Sequence, residues 1–179
     1  SSTLSVPEDG SLLPLMEEFY TIQGEGFNTG KAAYFIRLGG CDIGCHWCDV
    51  KESWDATTHP LTSIDDIVTK VSKLPAKSVV VTGGEPLTWN MNQLTSQLKA
   101  KGLQVHIETS GAHSYSGDWD WFTLSPKKRK HPKLENYLKA DELKVRDKTK
   151  IMYDSPKREE YAKLINNHEI YADEVKRMK

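Results

Sequence analysis

Apolar residues along this chain fall in short runs cut by glycine and by polar clusters. Residues 32–38 (AAYFIRL) form one run, stopped by Gly39-Gly40, and residues 78–82 (SVVVT) form another, stopped by Gly83-Gly84-Glu85-Pro86. Both predict strands. Residues 103–108 predict a further strand, followed by Thr109-Ser110-Gly111, and residues 119–125 and 141–145 (DELKV) predict two more. Residues 16–22 predict a short strand before the turn Gln23-Gly24-Glu25-Gly26. Between these runs the period changes. Ile64, Ile67, Val68 and Val71 recur at helical spacing after the capping candidates Thr62 and Ser63, and Leu94 and Leu98 share one face of a helix predicted over 91–101 and ended by Gly102. Residues 1–15 read as a loose polar lead-in, 127–133 as a basic loop, and 146–179 as charge-rich loop plus helix with a weak strand candidate at best.

Strand, helix, strand at these spacings predicts an α/β fold of parallel β/α units, with all 179 residues in one domain. Parallel crossovers place their ligand-binding loops at the carboxyl ends of the strands. The motifs at 39–50, 83–86, 109–111 and 125–127 each follow a predicted strand, so they are expected to gather at one rim.

Composition narrows the classes. A net charge of −1 gives no overall electrostatic reason to expect nucleic acid or a membrane surface as partner. With 37% hydrophobic and 27% charged residues the chain reads as soluble and globular. No apolar run approaches the roughly 18 residues that span a bilayer. Ser1 to Gly10 have neither the basic nor the apolar region of a signal peptide, and the missing initiator Met suits a trimmed or engineered end. Together these features predict a cytoplasmic protein.

The chain has 3 cysteines, and all fall within eight residues as C-x3-C-x2-C: Cys41, Cys45 and Cys48. An odd, closely spaced set is not a disulfide framework. Thiolates are soft ligands that suit zinc or an iron–sulfur cluster. Cubane clusters commonly take four cysteines; three leave one iron without a protein thiolate, free to chelate a small molecule. From the spacing alone, a zinc site completed by His46 or His59 stays open as the alternative.

C-x3-C-x2-C in a loop after a strand resembles the signature of the radical SAM enzymes. Val81-Thr82-Gly83-Gly84-Glu85-Pro86 resembles the same family's GGEP element. The resemblance implies a partial, incomplete β/α barrel with a parallel sheet. It also implies a [4Fe–4S] cluster on Cys41, Cys45 and Cys48 that cleaves S-adenosylmethionine (SAM) to methionine and a 5′-deoxyadenosyl radical.

The flanks narrow the resemblance. Glu17 to Gly26 (EEFYTIQGEG), Phe35-Ile36-Arg37-Leu38, Cys48-Asp49-Val50-Lys51 with Trp54, Ser125-Pro126-Lys127 and Asp141 to Val145 resemble the 7-carboxy-7-deazaguanine synthases of the queuosine pathway, over roughly residues 14–145. That family implies conversion of 6-carboxy-5,6,7,8-tetrahydropterin to 7-carboxy-7-deazaguanine with loss of ammonia. By motif position, Ile22, Gln23, Gly24, Arg37 and Thr82 are expected at the substrate, Arg37 on its carboxylate through a two-pronged guanidinium fork. Trp47, Cys48, Asp49, Gly84, Glu108, Ser110, Ser125, Pro126 and Lys127 are expected at SAM. An electron donor such as flavodoxin or ferredoxin and a homodimeric assembly are implied as well.

Two departures stand out. The family has threonine after its Cys-Asp pair, where a hydroxyl helps bind Mg²⁺; here Val50 has no oxygen to offer, so magnesium use stays open. Residues 146–179 do not resemble the family's further strand and closing tail, so no C-terminal residue carries over. Blander readings also stand. Gln23-Gly24-Glu25-Gly26 is by itself a plain turn, Arg37 a solvated edge residue, Lys127 to Lys130 a solvated loop, and Trp119 and Trp121 packing residues. Another radical SAM enzyme, such as a glycyl-radical activase, and a non-enzymatic zinc-stabilised module are the competing functions.

Overall fold

The computed structural model describes residues 6–24, 26–40, 59–127 and 130–144 and the backbone of 145 and 148–151. Eight strands form one sheet in the order β3-β1-β2-β4-β5-β6-β7-β8: β1 (Leu12–Ile22), β2 (Ala32–Leu38), β3 (Leu61–Ser63), β4 (Ser78–Gly83), β5 (Gln104–Thr109), β6 (Trp121–Leu124), β7 (Glu142–Val145) and β8 (Lys148–Ile151). The run β2-β4-β5-β6-β7 is parallel throughout. Antiparallel pairings flank it, β2 with β1 and β1 with β3 on one side and β7 with β8 on the other. This is the α/β architecture expected from the sequence.

Strand alternation divides the sheet into two unlike faces. One carries Tyr34, Ile36, Leu38, Val79, Val81, Val105, Ile107, Phe122, Leu124 and Leu143, all in the buried core. Helices α1 (Ile64–Ser72) and α2 (Asn92–Ala100) add Ile64, Ile67, Val68, Val71, Leu94 and Leu98 to the same core. Each such aliphatic side chain contributes roughly 1.5–3 kcal/mol on burial. Ser63 Oγ accepts the Asp66 amide at 3.1 Å and starts α1 where the capping pattern predicted.

The opposite, inner face is polar in one row. By register Arg37 lies beside Thr82, and Glu108, Thr123 and Glu142 continue the row across β5, β6 and β7. A polar face on a central parallel sheet marks it for a ligand, because parallel sheets ordinarily bury both faces in apolar contacts.

Four of the strands and α-helices depart from the sequence reading, one being β3, whose Thr62-Ser63 read as a helix entry. β1 starts at Leu12, inside the stretch read as polar lead-in, because Leu13 and Leu15 are buried and Leu12 to Pro14 pair with β3. A short helix, α3 (Leu134–Lys139), follows the basic loop and buries Asn136 and Tyr137 while Leu134 and Leu138 stay exposed. β8 pairs antiparallel with β7 and was only a weak candidate. Among the described residues no helix is long and apolar enough to cross a membrane.

Candidate functional site

The carboxyl ends of the parallel strands are stitched together by hydrogen bonds. At the end of β2, Gly39 N donates to Pro14 O at 2.7 Å, and Trp89 Nε1 donates to Gly39 O at 2.9 Å. The β4 motif closes on the same segment, with Gly84 N donating to Leu38 O and Glu85 N to Gly40 O, both at 2.9 Å. Gly83 sits at φ +128, and a Cβ there would lie 2.3 Å from Leu38 O. Only glycine allows that approach, so Gly83 is what lets the β4 loop lie against the chain just before Cys41.

Glu85 carries the stitching on to β5. It is 1% exposed, and its carboxyl group accepts from Leu87 N at 3.1 Å, from Ser110 N at 2.8 Å and from the hydroxyls of Thr109 and Ser110. Ser125 N at the end of β6 then donates to Thr109 O at 2.7 Å, and Lys127 Nζ donates to Ser125 Oγ at 3.1 Å. The motifs at 39–40, 83–86, 109–111 and 125–127 therefore do share one rim. Glu85→Ala is expected to lower the unfolding free energy by about 3 kcal/mol, since an orphaned buried donor costs roughly 1–3 kcal/mol and several are orphaned together. Urea unfolding of the variant checks this; a shift below about 1 kcal/mol would show that the brace is dispensable.

On the inner face lies a cavity of about 390 Å³ lined by Phe19, Thr21, Ile22, Gln23, Gly24, Phe35, Arg37, Thr82 and Glu108. All five residues expected at the substrate, Ile22, Gln23, Gly24, Arg37 and Thr82, meet here. The Phe19 and Phe35 rings stack, with centroids 5.2 Å apart. The Arg37 guanidinium carbon stands 5.7 Å from the Phe19 ring centroid. Its Nε lies 2.9 Å from Glu17 Oε1, close enough for an ion pair, although the N–H is not aligned along that line as a hydrogen bond. Thr82 Oγ1 donates to Glu108 Oε2 at 3.1 Å.

Glu108, expected beside SAM, thus lines the same cavity as the substrate set. Ser110, also expected at SAM, has its amide and hydroxyl both turned onto Glu85. Gly84, Ser125, Pro126 and Lys127 stand in or beside the stitched rim. Cys41, Cys45, Cys48, Trp47, Asp49, Val50 and the zinc candidate His46 lie outside the described residues. The other zinc candidate, His59, has its ring against Gly39, where a Cβ would meet His59 Cδ2 at 2.2 Å.

A smaller cleft adjoins the cavity, lined among others by Gln23, Asn28, His106, Trp121, Thr123 and Glu142. Burial holds the His106 imidazole below its usual pKa, so it is neutral at pH 7. Sequence reading missed Phe19, Thr21 and Phe35 as lining residues. The signal was present in β2: in Ala32–Leu38, Tyr34, Ile36 and Leu38 point into the core, so Phe35 and Arg37 must face the other way.

A parallel sheet with a polar inner face, a rim of Gly-Gly-Glu and Ser-Pro-Lys segments, and a C-x3-C-x2-C sequence leaving that rim define the class. The Radical SAM superfamily model matches residues 35–177, and the chain belongs to that superfamily. It is 68% identical over 138 residues to the 7-carboxy-7-deazaguanine synthase of Flavobacterium psychrophilum, covering 77% of this chain and 65% of that protein. It is 35% identical to the synthase of the same name from Buchnera aphidicola subsp. Schizaphis graminum, covering 73% of this chain and 69% of that one. The crystal structure of QueE from Escherichia coli superposes with a TM-score of 0.70 at 32% identity, covering 77% of this chain and 72% of that one. Within the superfamily, the chain belongs to the 7-carboxy-7-deazaguanine synthase family. It spans just under two thirds, 65%, of the Flavobacterium relative's length.

Superfamily membership implies a [4Fe–4S] cluster and SAM. The chain fits them on two counts. Its three cysteines are a soft donor set one short of a closed cubane site. Gly83 packs on the Leu38 backbone and Gly84 N donates to Leu38 O, which brings the Gly-Gly loop beside the segment that leads into those cysteines.

Proposed function

We propose that this protein is a radical SAM lyase that converts 6-carboxy-5,6,7,8-tetrahydropterin to 7-carboxy-7-deazaguanine with loss of ammonia, as in queuosine biosynthesis. The observation that carries this reading is the convergence of Ile22, Gln23, Gly24, Arg37 and Thr82 on one cavity of about 390 Å³ with a guanidinium in its wall. That volume is within the usual range for small-molecule sites.

Cys41, Cys45 and Cys48 would hold the cluster, and Trp47, Cys48, Asp49, Gly84 and Ser125 to Lys127 would contact SAM. Ser110 would act on SAM through the strand end it fixes. When bound, the cofactor pair supplies hydrogen-atom abstraction, the hard chemistry that the protein itself does not perform. The remaining work belongs to the chain. Arg37 receives the substrate carboxylate, and the stacked Phe19 and Phe35 give the cavity an apolar wall. Gln23 and Gly24 offer amide groups to the ring edge. Glu108, oriented by the Thr82 hydroxyl, is an acceptor complementary to ring N–H groups.

Magnesium, where used, must be held by groups other than the Val50 side chain. A homodimer, a flavodoxin- or ferredoxin-type electron donor, a cytoplasmic location and a single domain over residues 1–179 complete the proposal.

The test is anaerobic reconstitution, with iron and zinc measured, followed by addition of dithionite, SAM and the carboxytetrahydropterin. Brown protein that forms the deazaguanine acid is expected. Brown protein that cleaves SAM yet never forms that product overturns the substrate assignment. Colourless protein with one zinc overturns the radical reading.

A further inference from the structure

Resting on the reading that Gln23 and Gly24 touch substrate, we infer that Glu142 is the positioning residue that holds this turn in place. Glu142 opens β7, four strands away from β2 in the sheet, yet it is bound to the connection between β1 and β2. The residue is 3% exposed, and its Oε1 accepts the Phe27 amide at 2.8 Å across 115 positions of sequence. Gly26 packs so closely on the same carboxyl group that a Cβ there would lie 2.6 Å from Glu142 Oε2, and Gly26 adopts φ +79. A side chain at 26 would be both strained and in collision.

The contact is reinforced next door. The Phe27 ring stacks on Trp121, the first residue of β6, with centroids 4.7 Å apart and planes 16° from parallel. The connection therefore crosses the amino-terminal ends of the parallel strands and is anchored on the far side. Main-chain bonds close the turn onto the anchored segment: Gln23 N donates to Lys31 O and Gly30 N to Gln23 O, each at 2.9 Å. A shift at Phe27 is thereby transmitted to Gln23. Gln23 in turn lines both the large cavity and the smaller cleft that Glu142 lines.

Burying a carboxyl group on this face is costly unless it is hydrogen-bonded. The Phe27 amide supplies that bond. β7 thus carries more than sheet pairing: its glutamate fixes, from the far end of the parallel run, where the substrate-facing turn sits.

The test compares the parent with Glu142→Ala and Glu142→Gln in the full, reconstituted chain. Equilibrium binding of 6-carboxypterin, the aromatic analogue of the proposed substrate, and of SAM is measured alongside amide hydrogen exchange over residues 23–31. Glu142→Ala is expected to weaken pterin binding about tenfold, leave SAM binding within about twofold, and speed exchange in the 23–31 segment but not in β4. Glu142→Gln keeps an acceptor oxygen and is expected within about threefold of the parent. Parent-like pterin binding and exchange in Glu142→Ala overturns the inference, as does equal loss of pterin and SAM. If the parent binds no pterin while exchange at 23–31 still rises in Glu142→Ala, the substrate reading falls and the tether stands.

Discussion

Cys45→Ala is expected to leave the anaerobically reconstituted chain without an intact four-iron cluster and to reduce SAM cleavage to background, below about 1% of the parent. Three thiolates are the whole supply: the sequence has no cysteine outside Cys41, Cys45 and Cys48. A site already one ligand short of the common four cannot lose another and hold a cubane with a single open iron. The fold should survive. The segment before Cys41 is fixed by main-chain bonds from Gly39 to Pro14, from Gly84 to Leu38 and from Glu85 to Gly40, none of which involves a thiol. Iron content and the visible spectrum are the direct readouts, with thermal unfolding as control. A Cys45→Ala protein that still holds about four irons per chain would show that another residue completes the site.

The sheet's centre was legible because β2, β4 and β5 are apolar runs bounded by glycine or polar motifs, and those motifs sit where parallel strands put their loops. The edges were less legible. β3 is three residues long, too short to display a period, and Pro14 disguised the first half of β1, whose burial of Leu13 and Leu15 depends on β3 being there. In α3 the pattern is inverted. Asn136 is fully buried because its Nδ2 donates to Gly111 O and His113 O, while two leucines face outward. Tertiary hydrogen bonding overrode the hydrophobic pattern there.

The same distinction separates the residues of the site. Arg37 and Thr82 were found through motifs, and the register then made them neighbours. Glu108 was expected at SAM with Ser110, by motif position at the end of the same strand. In the sheet, period-two alternation sends Glu108 to the cavity, while Thr109 and Ser110 turn onto Glu85 at the rim. The tether from Glu142 to Phe27 joins positions 115 apart, a pairing no local pattern contains.

Arg37→Ala is expected to raise KM for the carboxytetrahydropterin about 100-fold while leaving iron content and substrate-free SAM cleavage at parent levels. Arg37 lies on the inner face of β2, beside Thr82 in register, and its side chain is 30% exposed and so within reach of a ligand. Its partner Glu17 is 51% exposed. Such a solvent-facing pair is worth at most about 1 kcal/mol, so a substrate carboxylate can take over the guanidinium at little cost. A hydrogen-bonded charged pair in the more enclosed cavity is worth roughly 1.5–3 kcal/mol, and at 1.4 kcal/mol per factor of ten the upper part of that range gives about 100-fold. Arg37→Lys should recover only part of the loss, because an ammonium is a point charge without the planar fork. The variant should also lose the preference for a carboxylated pterin over the same ring without the carboxylate, since that preference comes from a guanidinium–carboxylate bond that only the acid can make. Steady-state kinetics with both pterins separate the outcomes. A KM effect equal for the two ligands would move Arg37 from carboxylate recognition to shaping the wall with Phe19, and loss of iron in parallel with Cys45→Ala would make it structural.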